Sequence, residues 1–115
     1  MDFKTACQVL ANQTIPALET QDTFLGRLRQ GQSPVPGQVT TLLLALKVIH
    51  SNLNDAETID RELAQSLFLV AYEGRSLFEV GHAMGANWPP LLDEDLERIA
   101  IAAYRIFANE PTAEE

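Results

Sequence analysis

The stretch QVTTLLLALKVIHSNL, residues 38 to 53, decides the fold that we predict for this chain. Its five consecutive apolar residues, Leu42 to Leu46, cover the whole circumference of a helix, since a helix turns once in about 3.6 residues. A helix without a polar face has to be surrounded by other helices. We therefore predict an all-α bundle of about five helices around a buried central helix, residues 38–53. At its middle, Leu44→Ala is expected to lower the free energy of unfolding by about 2–5 kcal/mol.

Glycine and proline connectors separate this segment from the other helices that we predict. The connector GQSPVPG, residues 31 to 37, precedes it, and the connector GANWPP, residues 85 to 90, follows the next helix. Proline cannot continue an unbroken helix, and Gly31 and Gly85 suit the left-handed residue that ends one. The other predicted helices start after Asp2, near Pro16 with an apolar stripe from Leu18, near Ile59 and at Asp93.

The longest predicted helix, from Ile59 to Met84, is either continuous or broken at Gly74. A continuous helix of this length measures about 39 Å at 1.5 Å per residue and would cross a compact domain of about 35 Å. Its apolar residues exceed one stripe, because Phe68 and Tyr72 fan outward together with Leu69. A second chain would cover this surplus, and the sequence therefore predicts a homodimer.

Length and charge limit the class of protein. The 115 residues predict one helical-bundle domain, residues 1–110, followed by a frayed acidic tail, residues 111–115. The formal net charge of −8 repels phosphate backbones and anionic lipid surfaces, so we expect no nucleic-acid partner and no membrane association. The sequence shows no signal-peptide pattern and contains one cysteine, and we expect a cytoplasmic protein.

The sequence offers little for catalysis or for metal binding. Neither lysine follows a glycine, which excludes a P-loop, and one cysteine with two histidines cannot form a Cys/His zinc site within one chain. Glu79 and His82 form a single Glu-x-x-His pair, whereas a di-iron bundle needs two such pairs and two further glutamates. Cys7 lies on the apolar side of the first helix and fits a small buried hydrophobe better than a nucleophile. We therefore expect no catalytic residue, no metal ligand and no cofactor.

One segment, residues 79–92, is where we predict a ligand or partner surface. Its candidate residues are Glu79, His82, Trp88, Pro89 and Pro90. An aromatic ring with a polar edge, a group that titrates near neutral pH and a rigid backbone are all useful for binding. The alternative is that Trp88 fills the end of the bundle and has only a structural role.

Three stretches of the sequence resemble a family of small uncharacterised cyanobacterial proteins. They are QTIPALETQD (residues 13–22), PVPGQV (residues 34–39) and WPPLL (residues 88–92). The resemblance covers most of the chain and implies a source and a compartment, but no activity. Some members bear the label dethiobiotin synthetase, which implies a P-loop ATPase with a parallel sheet and about twice this length. We reject that activity because the sequence contains neither the loop with its lysine nor strands.

Two functional hypotheses stand beside each other. We expect a non-enzymatic helical interaction protein, an adaptor or a regulatory subunit, that acts as a homodimer and binds a protein partner. The alternative is a small-ligand-binding helical bundle with its pocket near residues 79–92. An enzyme with dispersed active-site residues is a third hypothesis, because such residues meet only in the fold. A co-purifying protein would favour the first hypothesis, and a stoichiometric small molecule would favour the second.

Overall fold

The structure, a computed structural model, describes residues 1–16 and 22–112 and contains only helices in these two ranges. The elements are α1 (Phe3–Thr14), α2 (Phe24–Arg29), α3 (Gln38–Leu53), α4 (Arg61–Phe68), a π-helical turn (Leu69–Glu73), α5 (Gly74–Ala83) and α6 (Leu92–Phe107). The predicted all-α class is confirmed, and so are the bounds of the helix at 38–53. The predicted helical stripe at Leu18 and the last tail residues, 113–115, lie outside the described ranges.

α4, the π-helical turn and α5 form one continuous helix, residues 61–83, which we call the long helix. The backbone stays right-handed helical at both junctions, including Gly74. This settles the question of a break at Gly74 in favour of continuity. The glycine allows close packing on α6, because a Cβ atom at residue 74 would lie 3.3 Å from Cδ2 of Leu96 and that side chain would have to shift by a few tenths of an ångström. The long helix begins after Asp60, slightly later than the predicted start near Ile59.

Four helices enclose the core, and the short α2 closes one side of it. α3 packs between α1 and α6, α6 packs on the π-helical turn, and α4 packs on α1. α2 lies against α1 and α5. The fully buried side chains at the centre come from α1, α2, α3, α4, the π-helical turn and α6, and they include Leu10, Phe24, Leu42, Leu46, Ile49, Leu67, Val70 and Ile99.

The expectation that α3 has no face for water is wrong. Leu44 is 48% exposed, although Leu42 and Leu46 are fully buried. In a ring of four helices each member contacts two neighbours and the centre, so its outer side stays open whatever residues it carries. A single exposed leucine is common on folded proteins because polar surface is too scarce to cover them.

Two glutamines fix the connectors around α2. The Gln13 side-chain oxygen accepts hydrogen bonds from the Phe24 backbone N–H at 2.7 Å and from the Gln38 side-chain amide at 3.0 Å. The same Gln38 amide also donates to the Asp22 carbonyl at 2.9 Å, and the Gln38 side-chain oxygen accepts from the Val35 N–H at 3.0 Å. These bonds hold the end of α1, the start of α2 and the start of α3 together.

Candidate functional site

Trp88 folds back onto the last turns of the long helix. Its indole Nε1–H donates to the Phe78 carbonyl oxygen at 2.9 Å, and the two rings stack with centroids 5.9 Å apart and planes inclined by 19°. The ring lies so close to Gly81 that a Cβ atom there would overlap Cζ2 of Trp88. Gly85, with φ +92°, supplies the left-handed helix end that was predicted and turns the chain back towards this position.

Arg75 continues this stack on the Phe78 ring and ties it to α6. Its guanidinium carbon lies 5.1 Å from the centroid of the Phe78 ring. The same guanidinium donates to the Asp93 carboxylate at 2.6 Å and to the Asp93 carbonyl at 3.1 Å. Arg75, Phe78 and Trp88 form what we call the closed stack, since a connecting segment of the chain covers it.

The structure does not gather the five predicted site residues around one cavity. Glu79 and His82 are exposed. Oε1 of Glu79 lies 3.8 Å from Nη1 of Arg75. Pro89 is half-buried and Pro90 is exposed. A cavity of about 370 Å³ between the ends of α2 and α5 has none of the five in its wall, and a cavity of about 250 Å³ beside Val39 has only Pro89. This geometry favours the alternative in which Trp88 has a structural role.

A groove of about 590 Å³ lies between α1 and α4. Phe3, Cys7 and Leu63 are among the apolar residues that line it, and Asp60 and Lys4 add charge. Burial raises the pKa of the Cys7 thiol, and the charge of Asp60 raises it further. A raised pKa disfavours the thiolate, which is the reactive form, so Cys7 is no activated nucleophile.

Residues 1–16 and 22–112 contain no group of three or more His, Cys, Asp or Glu side chains that could hold a metal ion. Among the helices of the same residues, none has both the length and the apolar character that a membrane span requires.

A second group of aromatic side chains is open to solvent. Phe68 and Tyr72 stack with ring centroids 5.2 Å apart and planes inclined by 17°, and they are 55% and 61% exposed. On α6, Tyr104 is 61% exposed and Phe107 is 48% exposed. These four residues are half of the eight aromatic residues in the sequence, and we call them the aromatic face.

Helical spacing and one ion pair indicate that the four rings lie on the same side of the molecule. Tyr72 precedes Arg75 by three residues, and residues 93, 97, 100, 104 and 107 follow each other at steps of four and three along α6. Residues at such steps share one side of a helix. Since Arg75 and Asp93 contact each other at 2.6 Å, the two sides adjoin where the long helix packs on α6.

The sequence contains each half of this face as a separate pattern. Phe68 with Tyr72 and Tyr104 with Phe107 each have helical spacing, and the outward position of the first pair was expected. That both pairs belong to one surface follows only from the packing of α6 on the long helix. Comparison of the chain with protein-family models, with characterised proteins and with solved structures gave no match.

Proposed function

We propose that this chain is a non-enzymatic helical interaction protein, an adaptor or a regulatory subunit, and that it acts as a homodimer. The observation that supports this proposal is the amount of large apolar side chain that the described fold leaves in water. Monomeric proteins rarely expose contiguous apolar patches larger than a few hundred Å², and larger ones mark interaction sites. Exposed tyrosine and phenylalanine are also the residue types enriched at protein interfaces.

The proposed source and compartment rest on the sequence. We propose that the chain belongs to the small cyanobacterial family that it resembles and that it works in the cytoplasm. The three stretches at 13–22, 34–39 and 88–92 support the first statement, and a single cysteine fits the second. Mass spectrometry of a cyanobacterial extract would test both statements. Detection of the protein tests the source, and its amount in the soluble fraction relative to the membrane fraction tests the compartment.

Light scattering after size-exclusion chromatography tests the homodimer. The chain has a mass of 12.7 kDa, so the proposal predicts a species of twice that mass in the micromolar range. Dilution should shift the measured mass towards the monomer with a single dissociation constant, because association follows mass action. A species of 12.7 kDa at every concentration would contradict the homodimer.

The groove between α1 and α4 favours a second candidate function, the binding of a small ligand. Its volume of about 590 Å³ lies within the range of about 300–1,000 Å³ that is usual for ligand sites. The smaller cavity of about 370 Å³ between the ends of α2 and α5 lies close to residues 79–92, but none of the five predicted site residues lines it. Native mass spectrometry of freshly purified protein decides this question, because a bound molecule would add a defined mass that denaturation removes.

A further inference from the structure

Three exposed apolar surfaces compete as the contact between the two copies. Leu44 stands alone on α3, among exposed residues that are polar: Thr40, Thr41, Lys47 and Ser51. Val80 and Met84 line the groove beside α2, whereas Leu91 lines a different groove beside Val39. The aromatic face is the third surface. It differs from the other two because its four residues lie on two neighbouring helices, α6 and the long helix, which pack together at the π-helical turn and α5.

The area of the aromatic face approaches what a dimer needs. A phenylalanine or tyrosine side chain buries about 150–250 Å² on full coverage, so four half-exposed rings offer on the order of 400 Å². A standard interface buries about 800 Å² on each partner. The four rings alone therefore supply about half of the area that each partner of a standard interface buries. Leu44 alone would supply only a small fraction of that area. The rings also have few rotatable bonds, so covering them costs little conformational entropy.

Two opposite charges flank the aromatic face. On the long helix, Arg61 lies on the same side as Phe68, since residues 61, 65 and 68 are four and three positions apart. On α6, Glu97 lies on the same side as Tyr104. Arg61 and Glu97 are both exposed. The ion pairs found within residues 1–16 and 22–112 include neither of them.

These charges lie at opposite ends of the face. The contacts Gly81 with Trp88, Arg75 with Asp93 and Gly74 with Leu96 show that the long helix and α6 run antiparallel. Continuing this register places Glu97 level with Tyr72, and it places Arg61 level with the end of α6. A second copy that docks in the reversed direction therefore brings the positive end of each face to the negative end of the other.

We infer that the second copy in the proposed homodimer docks on the aromatic face, antiparallel to the first, with the Arg61 end of each copy over the Glu97 end of the other. This inference rests on the proposed homodimer and names the surface and the orientation. Burial of the rings supplies the affinity. The two opposite charges set the direction, because charges at the rim of an interface act mainly on specificity.

Tyr104→Glu tests the surface. In a two-fold dimer each substitution occurs twice at the interface, so two charges would be placed among the rings. We expect the dissociation constant to rise by on the order of 100-fold or more, since central aromatic residues dominate interface energies. Tyr72→Arg is the second variant in case Tyr104→Glu does not fold, and circular dichroism reports on folding. The matched control is Leu44→Glu, which should leave the dissociation constant within about threefold.

An exchange of charges tests the orientation. Arg61→Glu and Glu97→Lys, each alone, should raise the dissociation constant by about 3–10-fold, and the double variant should return it to near the value of the unchanged protein. Additive weakening in the double variant would overturn the antiparallel orientation. A dimer that tolerates Tyr104→Glu and Tyr72→Arg but not Leu44→Glu would overturn the surface and keep the homodimer. An unchanged protein that is monomeric throughout would instead remove the homodimer itself.

Discussion

Two stacked aromatic pairs lie along the long helix, one between two of its own residues and one between Phe78 and Trp88 of the connection that follows, and they differ in what covers them. In the closed stack, Phe78 and Trp88 have ring centroids 5.9 Å apart, and the connection after α5 holds Trp88 in place by a hydrogen bond. In the open pair, Phe68 and Tyr72 have centroids 5.2 Å apart, and both rings stay exposed. The comparison shows that stacking alone does not distinguish a structural aromatic from a binding one. The decisive difference is whether the same chain returns to cover the rings.

Among substitutions in the two aromatic pairs, removal of Trp88 should give the largest loss of stability. Trp88→Ala deletes a half-buried ring, its stacking on Phe78 and its hydrogen bond, and we expect the free energy of unfolding to fall by about 2–4 kcal/mol. Tyr72→Ala, from the open pair, should cost less than about 1 kcal/mol in the dilute monomer. Urea unfolding followed by far-ultraviolet circular dichroism measures both, since Trp88 is the only tryptophan and fluorescence is lost with it. Equal losses in the two variants would contradict the distinction between the stacks.

Gly81→Ala should give an intermediate loss, because the new methyl group would overlap the Trp88 ring. Displacing a ring that is stacked and hydrogen-bonded is expected to cost about 1–3 kcal/mol, as overpacking usually does. The control is the same substitution in the Trp88→Ala protein, where the overlap no longer exists. There, Gly81→Ala should be neutral or stabilising by up to about 1 kcal/mol, since alanine favours a helix more than glycine does. The same loss in both backgrounds would show that Trp88 does not lie on Gly81.

Leu44→Ala should give the smallest change in the free energy of unfolding, because the side chain that it shortens is exposed. Leu44 is apolar and exposed like the residues of the aromatic face, but α3 has no other large apolar residue that is exposed. We expect a loss of less than about 1 kcal/mol, in place of the larger loss that the sequence predicted. Leu46→Ala, two residues further on the same helix and fully buried, should cost about 2–5 kcal/mol. Similar values for the two leucines would mean that Leu44 is buried after all.

The sequence predicted the helices well because their limits are local. Asp2 accepts a hydrogen bond from the Thr5 N–H at 2.7 Å and caps α1, and Gly31 and Gly85 adopt the left-handed conformation that ends α2 and α5. The candidate site at residues 79–92 stays a prediction. Trp88, the prolines and His82 are predicted to bind because of their chemistry and rigid backbone, but the type of a residue does not tell which atoms will surround its side chain.

The sequence by itself determined the helical class, the bounds of α3 and most helix ends, since these depend on residues within a few positions of each other. Only the tertiary structure decided that Leu44 meets water, that Gly74 continues a helix under Leu96, and that Trp88 is covered while Tyr104 is not. The physical reason is that burial depends on how many other helices reach a side chain. That number is set by the packing of the whole bundle, and it cannot be predicted from the periodicity of a single helix.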